Sequence, residues 1–190
     1  MDEIILASAS PRRSLLLEQW GIPFRVLPSD VDEESLKLPG TPWEKAEKLA
    51  LAKAKSVALK VEKGLVLGAD TIVVLDNVIF GKPKDRYEAY HMLKSLSGKY
   101  HEVITGVAIV KAENGLYKTA HEKTKVFFIP ATDTDIRAYI NTGEPEGKAG
   151  AYAIQGKGAL FIEKIEGCYS NVVGLPLVLI NKLLKEFGFE

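Results

Sequence analysis

The chain has 190 residues, 46% hydrophobic and 26% charged, a globular composition long enough to bury a core without disulfides or a structural metal and incompatible with wholesale disorder. Its 25 basic and 25 acidic side chains cancel, which removes any electrostatic reason for nonspecific binding to nucleic acid or to an anionic membrane, while a local basic pocket stays open. The single cysteine, Cys168, excludes a disulfide framework and a cysteine-based zinc site, and His91, His101 and His121 lack metal-ligand spacing.

The opening MDEIILASAS begins with acids, and its apolar stretch is too short for a signal peptide. Glu3 to Ala7 reads as a short strand. Ser10 followed by Pro11 is a helix N-cap with proline at the first helical position, and Ser14 to Trp20 continues as helix until Gly21. Phe24 to Leu27 reads as a strand, followed in loop by the acids Asp30, Asp32, Glu33 and Glu34. From Thr41 to about Glu62 alanine, lysine, leucine and glutamate dominate, with Thr41 as cap and Pro42 at the first position, so this is a helix. Leu65 to Leu75 (LVLGADTIVVL) is an apolar strand interrupted by Gly68 and Asp70, and Asp76-Asn77 turns it into Val78 to Phe80.

Asp85 to Leu96 reads as helix ending near Gly98. Val103 to Lys111 and Tyr117 to Ile129 are long strands flanking the Glu113-Asn114-Gly115 turn, an antiparallel hairpin. Thr132 to Asn141 is a short capped helix, Gly143 to Gly158 a glycine-rich loop, Ala159 to Lys164 a strand, and Leu175 to Phe187 a closing helix. The longest apolar region, Val172 to Leu184, is broken by Gly174, Pro176, Asn181 and Lys182, so no membrane span is expected and the expected location is cytoplasmic. Strands and helices intermix without strict alternation, which predicts a mixed sheet.

Leu6 to Leu17, LASASPRRSLLL, places Arg12 and Arg13 in the first turn of a helix, whose N-terminus already carries unpaired N–H groups and partial positive charge. An anion held by the Ser8 and Ser10 region, backbone N–H groups and one or both arginines would offset that repulsion; two solvent-facing arginines are the alternative. Asp70 interrupts the most hydrophobic strand, where a carboxylate needs a partner, a metal or a strand end facing a cleft. A structural ion pair explains it as well as a catalytic role does. Lys82, rigidified by Pro83, would present a cation from the Gly81–Lys84 turn. Lys53 lies on an alanine- and lysine-rich helix and by composition alone reads as solvated.

Taken together, LASASPRR, the acids Asp32-Glu33, LAKAK around Lys53, GADTIV around Asp70, GKPKD around Lys82, LSGKYHEVITGVAI from Leu96 and EPEGKAGAYAIQGKG from Glu144 to Gly158 resemble the Maf family of nucleotide pyrophosphatases, in family order over essentially the whole chain. The resemblance implies one domain over 1–190 in two lobes around a central cleft, an α/β fold with a mixed twisted sheet and flanking helices, similar to the inosine triphosphate pyrophosphatases. It also implies divalent-metal-dependent hydrolysis of nucleoside triphosphates between the α and β phosphates. Carried over by position, Asp70 matches the proton acceptor and Glu33 a second acid, either of which would hold the metal, Mg, Mn or Co. Ser8, Arg13, Lys53 and Lys82 match residues that hold the triphosphate.

The segment AYAIQGKG resembles the branch that prefers dTTP and UTP. Gln155 would read the base, since one amide donor and one acceptor match O4 and N3–H of thymine or uracil, whereas a glutamate would suit guanine. Arg12 and Thr71 match the accompanying specificity positions. Modified pyrimidine nucleotides are expected substrates in a house-cleaning role, and a homodimer is implied by resemblance. Two other readings stay open: a nucleotide-binding regulator of septation with little turnover, and a guanine or inosine triphosphate pyrophosphatase.

Overall fold

The computed structural model describes residues 3–33 and 35–189; Glu34, the last acid of the patch read from the sequence, lies outside them. Two compact units emerge, one formed by 1–70, 105–122 and 174–190 and the other by 71–104 and 123–173. The seven strands form one mixed sheet.

In the first unit, β1 (Ile4–Leu6) leads into α1 (Pro11–Trp20), and the chain returns as β2 (Phe24–Val26) parallel to β1. The helix α2 (Pro42–Ala58) then carries the chain to β3 (Leu65–Leu75), parallel to β1 on its other side. α2 begins with a capping box in which Glu44 N–H donates to Thr41 Oγ1 and Thr41 N–H donates to the Glu44 carboxylate, worth about 1 kcal/mol. Its buried face is Ala46, Ala50, Lys53, Ala54 and Val57. The small residues face two glycines: a Cβ on Gly68 of β3 would stand 2.2 Å from the Ala50 carbonyl oxygen, and one on Gly106 would stand 2.2 Å from the Ala46 carbonyl carbon. Helix backbone therefore rests on strand backbone at both points. Ile5, Ala7, Val66, Ala108 and Val110 close the core around this contact, and α6 (Leu177–Glu186) buries Ile180, Leu183 and Leu184.

β3 runs unbroken through Gly68 and Asp70 into the second unit, where it pairs with the antiparallel β4 (Val78–Phe80). That unit adds α3 (Arg86–Leu96), whose cap is Asp85, and α4 (Asp133–Ile140), capped by Thr132 with Asp135. The neighbouring long strands β5 (Tyr100–Lys111) and β6 (Tyr117–Phe128) are joined by the 112–116 turn, where Lys111 N–H donates to the Leu116 carbonyl at 2.8 Å. β7 (Ile162–Glu166) pairs antiparallel with β6, and the short α5 (Tyr169–Val173) follows. Leu93, Leu96, Val126, Ile136, Tyr139 and Phe161 belong to its core.

Several limits differ from those expected. Ser10 holds the N-cap position of α1, but its side chain makes no capping bond. The strand expected at 159–164 begins three residues later, because Lys157–Phe161 forms a 3-10 turn. A second 3-10 turn, Ala149–Ala151, lies inside the expected glycine-rich loop.

Candidate active site

β1 has parallel neighbours on both sides, β2 reached through α1 and β3 reached through α2. The carboxyl end of such a strand is a topological switch point, where flanking connections diverge and leave a crevice for a ligand. Ser8 lies there, buried, two residues after β1. Its hydroxyl oxygen accepts from Ser10 N–H at 3.2 Å and from Arg13 Nη1 at 3.0 Å, while Arg13 Nε donates to the Gly174 carbonyl at 2.8 Å. Arg13 is thus half-buried and braced across 161 residues of sequence, not waving in solvent. Burial lowers its pKa; Asp70 and Glu33 act the other way, and Arg12 adds to the lowering. Arg12 is also half-buried, with its pKa lowered by loss of solvent. Both guanidiniums remain cations. Two positive charges therefore stand at the positive end of α1, which has no acidic residue in its first turn.

Asp70 is the sixth residue of β3, and Lys53 is on the sheet-facing side of α2. Lys53 Nζ donates to Asp70 Oδ1 at 2.8 Å and meets Glu33 Oε1, from the loop after β2, also at 2.8 Å. The solvated lysine suggested by composition is corrected: Lys53 is 8% exposed, because helical spacing puts residue 53 beside Ala46, Ala50 and Ala54 on the covered face. Ser8, Arg13, Glu33, Lys53 and Asp70 thus all belong to the first unit. The two acids share one ammonium, and both exert a field on Arg13.

Thr71, Lys82 and Gln155 lie in the second unit. Thr71 follows Asp70 directly on β3 and is half-buried. Lys82 is exposed just beyond β4, and Gly150 N–H donates to the Gly81 carbonyl at 3.1 Å, which ties this turn to the segment leading to Gln155. Gln155 is half-buried between the two 3-10 turns. Two residues that sequence reasoning left without a role, Tyr139 and Glu144, hold this loop by hydrogen bonds. The Gly174 carbonyl was likewise unassigned; a backbone acceptor carries no signal in residue type.

Glu33 and Asp70 present hard carboxylate oxygens converging on one positive charge, and a serine hydroxyl lies in the same unit. Among the described residues no cluster of three or more His, Cys, Asp or Glu forms a protein cage. This fits a hard cation that takes one or two carboxylates and completes its shell from phosphates and water.

Residues 3–187 match the model of a family described as Maf-like protein. A dTTP/UTP pyrophosphatase of Ruminiclostridium cellulolyticum is 55% identical over 188 residues, covering 99% of this chain and 97% of the relative. A dTTP/UTP pyrophosphatase of Pelotomaculum thermopropionicum is 53% identical over 192 residues, covering 100% and 99%. Among solved structures, a HAM1 protein from Coxiella burnetii superposes with a TM-score of 0.53 at 16% identity, over 98% of this chain and 100% of that one, a likeness of fold alone. No described helix is long and apolar enough to cross a membrane.

Proposed function

The chain belongs to the Maf family, and from that premise we propose that it hydrolyses nucleoside triphosphates, dTTP and UTP above all, at the α–β phosphate bond to a monophosphate and pyrophosphate. The observation that carries this reading is the convergence of Asp70 and Glu33 on Lys53 Nζ, each at 2.8 Å, in the same unit as the Ser8–Arg13 corner.

In the reaction, a water oxygen bonds to one phosphorus of the α–β anhydride, its proton passes to Asp70, and the bridging P–O bond breaks. Asp70 suits the acceptor role because Lys53 balances its buried charge. Lys53 has three ammonium protons, so it can keep one on Asp70 and direct another at a phosphate oxygen. Arg13 is held in place by neutral acceptors, Ser8 Oγ and the Gly174 carbonyl, and contributes a fixed positive charge as the phosphates gain negative charge. Lys82 supplies a further cation for the triphosphate. Glu33 and Asp70 would hold a divalent cation, Mg, Mn or Co, which supplies Lewis-acid neutralisation of phosphate oxygens when bound. Gln155 reads the pyrimidine edge through its amide, with Arg12 and Thr71 at the accompanying specificity positions. We place its action in the cytoplasm, where a lone cysteine stays reduced, as a homodimer that removes modified pyrimidine nucleotides.

The test is product separation after incubation with Mg or Mn and a panel of dTTP, UTP, dGTP, dCTP, 5-methyl-UTP and pseudo-UTP. Monophosphate and pyrophosphate from dTTP and UTP, lowered about a thousandfold in Asp70→Asn, are the expected outcome. Tight binding without turnover under either metal would make the chain a nucleotide sensor instead. Modified uridine nucleotides turned over no faster than UTP would remove the house-cleaning role.

A further inference from the structure

The loop carrying Gln155, from Ala153 to Gly158, is tied at both ends to a pair of side chains from α4 and the turn after it. Glu144 Oε2 accepts from Lys157 N–H and Glu144 Oε1 from Gly158 N–H, both at 3.0 Å. The Tyr139 hydroxyl donates to Glu144 Oε1 at 2.9 Å and accepts from Ala153 N–H at 3.2 Å. Glu144 is itself oriented: its N–H donates to Thr142 Oγ1 at 3.1 Å, and that hydroxyl donates to the Tyr139 carbonyl at 2.6 Å.

The loop folds tightly onto this pair. A Cβ on Gly158 would stand 2.3 Å from the Ala153 carbonyl oxygen, and one on Gly156, where φ is +106°, would stand 2.8 Å from Glu144 Oε2. Ala151, just before the loop, keeps a left-handed φ of +62°, a conformation that persists in a non-glycine residue only where its surroundings over-determine it. A half-exposed loop could satisfy its N–H groups with water. Here three of them are committed to two side chains, two in charge-assisted bonds. Burial opposes the Glu144 charge, but the N–H groups of Gly158 and Lys157 and the Tyr139 hydroxyl outweigh it, so the carboxyl lies below its ordinary pKa.

We propose that Glu144, together with Tyr139, is a positioning residue for base selection: the pair fixes the Ala153–Gly158 loop so that the Gln155 amide meets a nucleobase in one register. The inference rests on the reading of Gln155 as the base reader. A carboxylate is required because it accepts at both oxygens; an amide in its place would set an NH₂ donor against an N–H donor.

The experiment measures kcat/KM for dTTP and for dGTP on the full chain, for wild type, Glu144→Gln, Tyr139→Phe, Gln155→Ala and Glu144→Gln/Gln155→Ala. The dTTP-to-dGTP ratio cancels any loss of folded protein, so a merely structural role would leave it unchanged. Glu144→Gln and Tyr139→Phe are each expected to lower the ratio about tenfold, chiefly through KM for dTTP. The double variant should fall no further than Gln155→Ala alone. A ratio lowered by Gln155→Ala but untouched by both clamp variants would overturn the positioning role and leave base reading standing. Full additivity in the double variant would also overturn it. A ratio untouched by Gln155→Ala would remove base reading, and the clamp's part in selection with it.

Discussion

Lys53 is 8% exposed on a helix face whose other buried residues are alanines and a valine, and two carboxylates are what compensate its ammonium there. Removing that charge strands Asp70, whose side chain is only 11% exposed. Lys53→Met keeps the volume of the stem and leaves a buried carboxylate without its hydrogen-bonded cation, which should cost about 3 kcal/mol, read as a lowered urea midpoint at unchanged slope. Combining it with Asp70→Asn should recover most of that loss, since a neutral amide needs no counter-charge, while the proposed role of Asp70 as proton acceptor predicts that hydrolysis stays absent in the double variant. A Lys53→Met midpoint equal to wild type would show that Lys53 is not what offsets the Asp70 charge, and would leave that role to Arg13 or to water. The lysine's role was hard to read from composition because LAKAK offers charges on several faces. Only the strand that the helix covers decides which lysine is inside.

The helix α2 owes its position to missing side chains. At Gly68 a Cβ would meet the Ala50 carbonyl oxygen at 2.2 Å and Ala54 at 3.0 Å, and backbone cannot move aside as a flexible side chain can. Gly68→Ala should therefore push α2 off β3 and cost about 3 kcal/mol, the upper part of the overpacking range. It should also reduce hydrolysis, because Lys53 lies less than a turn beyond Ala50. Gly81→Ala, where a Cβ meets nothing within 4 Å, is the matched control and should shift the thermal midpoint little. Equal midpoints for the two variants would mean that the helix yields freely. From the sequence Gly68 looked like an interruption of the strand, yet β3 is continuous, because this glycine serves the helix above it and not a backbone turn. Where apolar period and caps agree, as in α2, α3 and α4, the expected elements lie within a few residues of those observed. The stretch 143–161 was less legible, since its turns depend on positive-φ glycines and on hydrogen bonds to Tyr139 and Glu144, which hydrophobic periodicity does not encode.

Across the whole molecule, the first-unit site draws on segments from Ser8 to Gly174, and elementary chemistry flagged the residues whose type was out of place: paired arginines in a first helical turn, with the serines before them, and an aspartate in an apolar strand. His101 gave no such signal, although it bears on how the folded chain responds to acid. It is 1% exposed, edge-on to Phe128 at 4.9 Å, with Nε2 2.7 Å from the Tyr152 hydroxyl. Burial pushes its imidazole down to about 4 from 6.5 and raises the Tyr152 phenol, so the pair is neutral at neutral pH. A histidine with a depressed folded pKa binds its proton more readily in the unfolded chain. Its contribution is thus fully present above pH 6.5 and lost progressively as the pH falls toward 4, about 3 kcal/mol over that window. The surface carboxylates of Asp133, Asp135 and Glu166, each held below its ordinary value of 3.8 or 4.5 by a hydrogen-bonded partner, lose their contributions below about pH 4.5, under most of the His101 window. The two effects are therefore separable in one titration. Urea midpoints measured from pH 7 to 4.5 should fall steeply for the wild type. His101→Phe should be less stable at pH 7, because the Tyr152 hydroxyl loses its partner, but its midpoint should fall less over the same range. Parallel curves for the two proteins would show that His101 titrates alike in the folded and unfolded chains, and that acid enters this fold elsewhere.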